Sequence, residues 1–320
     1  MYNIQLIKKA MLSIQRGQRG QGIAAQAMFE CGDFDTMTAL AYAAAANRAE
    51  DGRVAVLSDN TAVNDPAANG EALLRAYEFT DDPLFKDAAD ALTGYLLMFA
   101  PRTEDGVLYH NNISKHKGFT PNQMWVEGCY MMPPFLAINN EFTEATKQLG
   151  GYYNYLHDEN TGLFFHIYDI GSNCFVRQKL WAAGNGYVLL ATARMVSEAV
   201  RQNLPEQAAN LCSAGNELLD SMLKFQNDDG LFYDTLDDPK TFKESTAAAM
   251  TAAYIYRGIA EDFVGIEMKK YADKAFTAVT KRINTYGFIT GAVNQDTFTE
   301  GVSAEAQAFY IIADAWQQKN

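Results

Sequence analysis

The sequence predicts an all-α chain in which helical hairpins recur around a double ring, an (α/α)6 barrel, with short β elements at loop ends. Three observations lead there. About twelve stretches carry helical periodicity or capping signals, twice the six hairpins that such a ring needs. Four short glycine-led segments recur between them, and strand-like alternation is confined to these. No linker rich in Pro, Gly or Ser divides the 320 residues, so a single catalytic domain over 1–320 is expected.

The helical stretches follow in order. Residues 3–15 and 22–30 open the series. Residues 34–50 are Ala-rich, with Asp35 as the candidate N-cap. Residues 67–79 begin after Pro66, and residues 83–99 carry Pro83 in the first turn behind an Asp-Asp cap. Residues 121–138 open with Thr120-Pro121 and tolerate Pro133-Pro134 only as a break or kink. Residues 141–156, 179–200, 205–225, 244–259, 265–283 and 303–316 complete the set. The four repeated segments are 105–110, 161–166, 229–234 and 286–291. Each has a turn residue, a glycine and a short hydrophobic run. Their glycines, Gly106, Gly162, Gly230 and Gly287, are 56, 68 and 57 residues apart. That period is too long for a simple solenoid and fits one helical hairpin plus a decorated loop.

Composition narrows the function. Hydrophobic residues make up 48% and aromatics 12%, enough for a sizeable core. A net charge of −13 and a pI near 4.8, with no basic run, argue against nucleic acid and against an anionic membrane surface. No run approaches about 18 apolar residues, so no membrane span is expected. The first 19 residues are amphipathic and basic, without the apolar stretch of a secretory signal. Cys31, Cys129, Cys174 and Cys212 are widely spaced and form no C-x-x-C pair, so they read as reduced core thiols of a cytoplasmic protein.

Three constellations carry chemistry. In the first, Gln123 to Ala137, Glu127 lies beside Trp125 in an apolar, Met-rich segment read as helical. Burial against such surface raises a carboxyl pKa and keeps a proton ready to donate. The second is Trp181-Ala182-Ala183-Gly184-Asn185-Gly186-Tyr187, a glycine-flanked Asn between two aromatics at a helix start. It reads either as a ligand-approach site with stacking aromatics or as an ordinary turn with core aromatics. The third is the polar loop 57–70, where Asp65 reads either as an N-cap or as a second carboxylate working with Glu127, with Asp59 in reserve.

Together these segments resemble the unsaturated rhamnogalacturonyl hydrolases and the neighbouring unsaturated glucuronyl hydrolases, six-hairpin glycosidases. The resemblance runs from Gln21-Gly22-Ile23-Ala24 to Ser303 through Phe309. Its most specific pieces are Met124-Trp125-Val126-Glu127 with Tyr130-Met131, Gly162-Leu163-Phe164-Phe165-His166, and Trp181 through Tyr187. It implies an (α/α)6 barrel that hydrates the 4,5 double bond of an unsaturated uronic acid at the non-reducing end of an oligosaccharide, without metal or redox cofactor. It implies Glu127 as general acid/base, Asp65 as its partner, and Trp125, Met131, His166, Trp181, Asn185 and Tyr187 around the substrate. Two departures stand out: Glu127 where the family usually has Asp, and Ala183 and Tyr187 where it often has Arg and Trp. They favour, as alternatives, a non-catalytic or altered-specificity carbohydrate binder. A sugar epimerase with the same fold would need paired histidines, and of the four His here only His166 lies in a site motif.

Overall fold

A computed structural model describes residues 3–57, 62–111, 121–294 and 299–320. The described residues are mainly helical: α1 (Ile4–Ile14), α2 (Gly17–Glu30), α3 (Phe34–Ala46), α4 (Gly70–Thr80), α5 (Pro83–Gly94), the short α6 (Gly128–Met131) and α7 (Pro133–Ile138), then α8 (Phe142–Leu156), α9 (Ala182–Arg201), α10 (Pro205–Leu223), α11 (Ser245–Ala260), α12 (Lys269–Thr280) and α13 (Ala304–Gln317). The strands are two to four residues long: β1 (Gln123–Trp125), β2 (His157–Asp158), β3 (Leu163–Phe164), β4 (Ile167–Asp169), β5 (Cys174–Arg177), β6 (Phe232–Tyr233), β7 (Lys243–Glu244), β8 (Ala292–Asn294) and β9 (Thr299–Gly301). The chain forms two compact units. One holds residues 16–157 and 165–178, the other residues 1–15, 158–164 and 179–320.

The hairpins share one way of stopping a helix. Gly32, Asn140, Asn203 and Asp262 follow α2, α7, α9 and α11 with φ of 76°, 66°, 57° and 62°. In each case the next N–H reaches back five residues: Asp33 to Met28, Glu141 to Leu136, Leu204 to Ala199 and Phe263 to Gly258, all at 2.8 Å. Gly, Asn and Asp are the residues that enter the left-handed region at least cost, so helix ends are written where they stand. The next helix follows closely after three of these ends, and α2 packs on α3, α7 on α8 and α9 on α10. The cap of α3 is Asp33, whose side chain accepts from Thr36 N, and not Asp35, which sits in the first turn.

The glycine-led segments are equally regular. Gly106, Gly162, Gly230 and Gly287 have φ of 84°, 71°, 93° and 85°. Each donates its N–H to a carbonyl three or four residues back, at 2.8–3.0 Å. A fifth copy, not seen in the sequence, is Asp51-Gly52-Arg53, where Gly52 has φ 98° and bonds Ala49 O at 3.1 Å. In three copies a buried amide side chain from a helix takes the N–H two residues past the glycine. Gln148 takes Leu108, Asn185 takes Phe164 and Gln307 takes Ile289, at 2.9, 2.8 and 2.9 Å.

The largest departure from expectation is 121–138. It is not one helix but strand β1, a turn and the two short helices α6 and α7. All three β1 residues are buried, so the segment shows neither strand alternation nor a polar helix face. Of the thiols, Cys129 alone is buried; Cys174 is exposed, and Cys31 and Cys212 lie between. None of the four is in a disulfide. No described helix is long and apolar enough to cross a membrane.

Candidate active site

Backbone pairing assembles the site around β1. On one side β1 runs antiparallel to β4, with Trp125 opposite Ile167, and Val126 N donates to His166 O at 3.0 Å. On the other side His110 N donates to Gln123 O at 2.9 Å, and Val63 N donates to His110 O at 3.0 Å. The Asp65 loop, His110, Glu127 and His166 are therefore placed by consecutive backbone contacts within one unit. Glu127 itself follows β1 at the turn into α6.

Glu127 is fully enclosed, as is His166. Its Oε1 is 3.2 Å from Arg19 Nη1, and its Oε2 is 3.5 Å from His166 Nε2, an ion-pair distance at the outer limit of a hydrogen bond. Trp125 orders the other rings. His110 stacks on it with centroids 4.7 Å apart and planes at 5°, and His166 meets it edge-on at 5.9 Å. The indole N–H donates to Gln123 Oε1 at 2.9 Å. One face of Trp125 is thus taken by His110.

The electrostatics overturn one expectation. Burial pushes the Glu127 carboxyl up, but His166, His110 and Arg19 outweigh it and hold the carboxyl well below the usual range. Resting Glu127 is a carboxylate, because two imidazoles and one guanidinium face it. A proton shared with a second carboxylate is not what sets its charge. Burial drives the pKa of His166 down, opposed by Glu127. Burial also lowers His110, opposed by Asp65 and Glu127. His110 thus lies within electrostatic reach of both expected catalytic carboxylates. Two buried histidines flank Glu127, so the scarcity of site-motif histidines was no ground for excluding histidine chemistry.

Arg19 is the residue that sequence reading missed. It follows a bend inside α2, where Gln18 has φ 37° and ψ −122°. Gln18 N donates to Ala55 O at 3.0 Å, and Asn69 Nδ2 donates to Gln18 O at 2.8 Å. A strained backbone pinned at both peptide groups is characteristic of functional positions. The Gly-Gln-Arg-Gly-Gln-Gly run of residues 17–22 was the available signal. Asp65 opens a 3₁₀ turn (Asp65–Asn69) without capping it, and its Oδ1 is buried with no hydrogen-bond partner. Its neighbour Asn64 donates to Tyr152 OH at 3.1 Å, directly over Gly128. A Cβ at Gly128 would lie 2.4 Å from that hydroxyl and 2.5 Å from Asn64 Nδ2, so the residue after Glu127 must be glycine for this bond to form. Asp59 lies outside the described residues.

The second constellation belongs to the other unit, and its described bonds are to the protein's own backbone and side chains. Asn185 is buried, with Oδ1 accepting from Phe164 N and Nδ2 donating to Phe164 O and Trp181 O at 3.0 Å each. It holds a glycine-led turn, as Gln148 and Gln307 do, and has no hydrogen left for a sugar. Trp181 is fully buried with its N–H on Asp234 Oδ1 at 3.1 Å, and Tyr187 packs edge-on against Phe309. Met131 is likewise fully buried, in α6. Among the described residues no three His, Cys, Asp or Glu side chains form a metal-holding group.

The model of Glycosyl Hydrolase Family 88 matches residues 10–319. The unsaturated rhamnogalacturonyl hydrolase YesR of Bacillus subtilis (strain 168) is 22% identical over 258 residues, 78% of this chain and 72% of that protein. Among solved structures, a possible member of family GH105 from Klebsiella pneumoniae subsp. pneumoniae MGH 78578 superposes with a TM-score of 0.84 at 19% identity. That match covers 98% of this chain and 91% of that one. An unsaturated glucuronyl hydrolase specific for heparin superposes at 0.69 and 11% identity, over 98% and 95%. The fold is therefore the all-α, (α/α)6 fold of these glycosidases, as the sequence predicted.

Proposed function

This chain belongs to Glycosyl Hydrolase Family 88, a glycosidase family, and from that premise we propose that it hydrates unsaturated uronic acids. The substrate is an oligosaccharide left by a polysaccharide lyase, with a double bond between carbons 4 and 5 of its non-reducing uronate. The rhamnogalacturonyl relative favours a pectin-derived substrate. The observation that carries the reading is Glu127: a fully enclosed carboxylate held by a guanidinium and an imidazole beside a tryptophan.

The double bond is an enol ether. Protonation at carbon 4 by the Glu127 carboxyl places positive charge on carbon 5 and the ring oxygen. The carboxylate left behind takes a proton from water as its oxygen adds to carbon 5. The hemiketal then opens and releases the neighbouring sugar. One carboxyl group serves both steps, unlike the two that flank the bond in ordinary glycosidases. Asp65 acts through His110, within whose electrostatic reach it stands. Glu is one methylene longer than the Asp usual in the family, so the proton is delivered from a shifted point.

The test is a panel of lyase-generated disaccharides followed by loss of the double bond's ultraviolet absorbance. Loss on rhamnogalacturonan- or glycosaminoglycan-derived members, absent with Glu127→Gln, is the expected result. A folded protein that leaves every member unchanged sinks the reading.

A further inference from the structure

Trp125 gathers two polar groups whose bonds are incomplete. Its indole N–H can only donate, so the Gln123 atom 2.9 Å away is the carbonyl oxygen, and Nε2 is the amide's remaining end. His110 stacks on the same indole and is joined to Gln123 through its backbone, His110 N to Gln123 O. Gln123 is fully enclosed and His110 is buried. Yet among the described residues neither Gln123 Nε2 nor His110 Nδ1 has a hydrogen-bond partner. Enclosed polar groups are nearly always paired, so two orphans held on one indole point to a ligand that pairs them. Gln123 and Trp125 are two residues apart on β1 and share a face, and Glu127 follows two residues later. One stretch of backbone therefore positions the orphans and the acid together.

We infer that Gln123, with His110 beside it, is the receptor for a ring hydroxyl of the unsaturated uronate, and that Gln123 Nε2 donates to the hydroxyl oxygen. This rests on the hydrolase reading above and deepens it. Carbons 4 and 5 share the double bond, so the ring hydroxyls in question are those at carbons 2 and 3. Charge decides between these and the substrate's carboxylate. Asp65 and Glu127 act on His110 more strongly than Arg19 does, and Asp169 stands opposite Gln123 in the β1–β4 register. A further carboxylate placed among those acids would be repelled. A hydroxyl is neutral, accepts from Gln123, and meets His110 Nδ1 as donor or acceptor, whichever ring nitrogen holds the proton.

The test is a double-mutant cycle between Gln123 and the sugar. An unsaturated-uronate disaccharide and its 2-deoxy and 3-deoxy analogues, altered on the uronate ring, are given to wild type, Gln123→Met and Gln123→Glu. Met has no N–H to give. Glu keeps an oxygen for the Trp125 indole and loses the NH2 donor, and it is the variant read if Gln123→Met fails to fold. Wild type should lose about tenfold in kcat/KM on one of the two analogues, the worth of one hydrogen bond. Each variant should lose a similar factor on the parent disaccharide, mainly through KM, and nothing further on that analogue. Equal losses on the parent and both analogues would assign Gln123 to holding Trp125 and overturn the inference. Analogues that wild type turns over as well as the parent would overturn it too, and the hydrolase reading stands in both cases. A folded wild type that turns over none of the three removes both.

Discussion

Glu127 and Glu244 are the same side chain with the same exposure, none, and their carboxyls are shifted in opposite directions. Glu127 is met by Arg19, His166 and His110 and is kept ionised. Glu244, in the other unit, caps α11. Its Oε2 accepts from Ala247 N at 2.6 Å and its Oε1 from Val293 N at 3.3 Å. Burial outweighs those bonds, Asp234 adds repulsion, and the carboxyl is pushed up to about 7. Burial sets how much a charge costs, and the partners decide whether it is kept. The raised carboxyl that sequence reading assigned to Glu127 exists in this molecule, at a structural cap instead.

The comparison breaks first at activity. Glu127→Gln should fold and lose on the order of 100- to 10,000-fold in kcat/KM on the true substrate, because the amide has no proton to give. Glu244→Gln should leave KM and kcat within about twofold. Comparable losses from both would mean that charge state does not separate chemistry from scaffold here.

Stability against pH sharpens it. A raised carboxyl contributes stability that is full below the unfolded value, near 4.5, and lost as pH rises through about 7. Wild type should therefore lose on the order of 3 kcal/mol between pH 5 and pH 8.5 from Glu244, and Glu244→Gln should flatten that slope in thermal melts. Glu127 has the opposite sign: its lowered carboxyl contributes above about 4.5, and that contribution is lost as pH falls further. Glu127→Gln should accordingly melt with less acid sensitivity, and an unchanged acid limb would count against the ion pair with Arg19.

Smaller effects separate scaffold from site in the two units. Asn185→Ala removes three buried hydrogen bonds and should cost about 1–3 kcal/mol while leaving KM in place. A raised KM with unchanged stability would return Asn185 to the substrate. Asp65→Asn should reduce kcat by about tenfold and change the melting temperature little, since Asp65 caps nothing. A normal rate with lowered stability would make it structural.

Some of this was legible because it depends on neighbours in sequence. The helices, the glycine turns and their repetition follow from local φ/ψ preference and capping, which a few consecutive residues decide. Gly106, Gly162, Gly230 and Gly287 read as one recurring device, and all four take positive φ; Gly52 does so too, but Arg53 follows it where an apolar residue follows the other four. Glu127, Asp65 and His166 could be chosen as candidates from residue type beside aromatic and apolar sequence. What the chain could not announce was set by contacts across long separations. Arg19 meets Glu127 across 108 residues. His110 reaches Trp125 by stacking, and β1 exists because β4 and His110 supply its ladder bonds. A pKa belongs to this second class. It is the balance of desolvation against particular charges a few ångströms away, so the sequence by itself could name the carboxylate, and only the tertiary structure decided that it rests ionised.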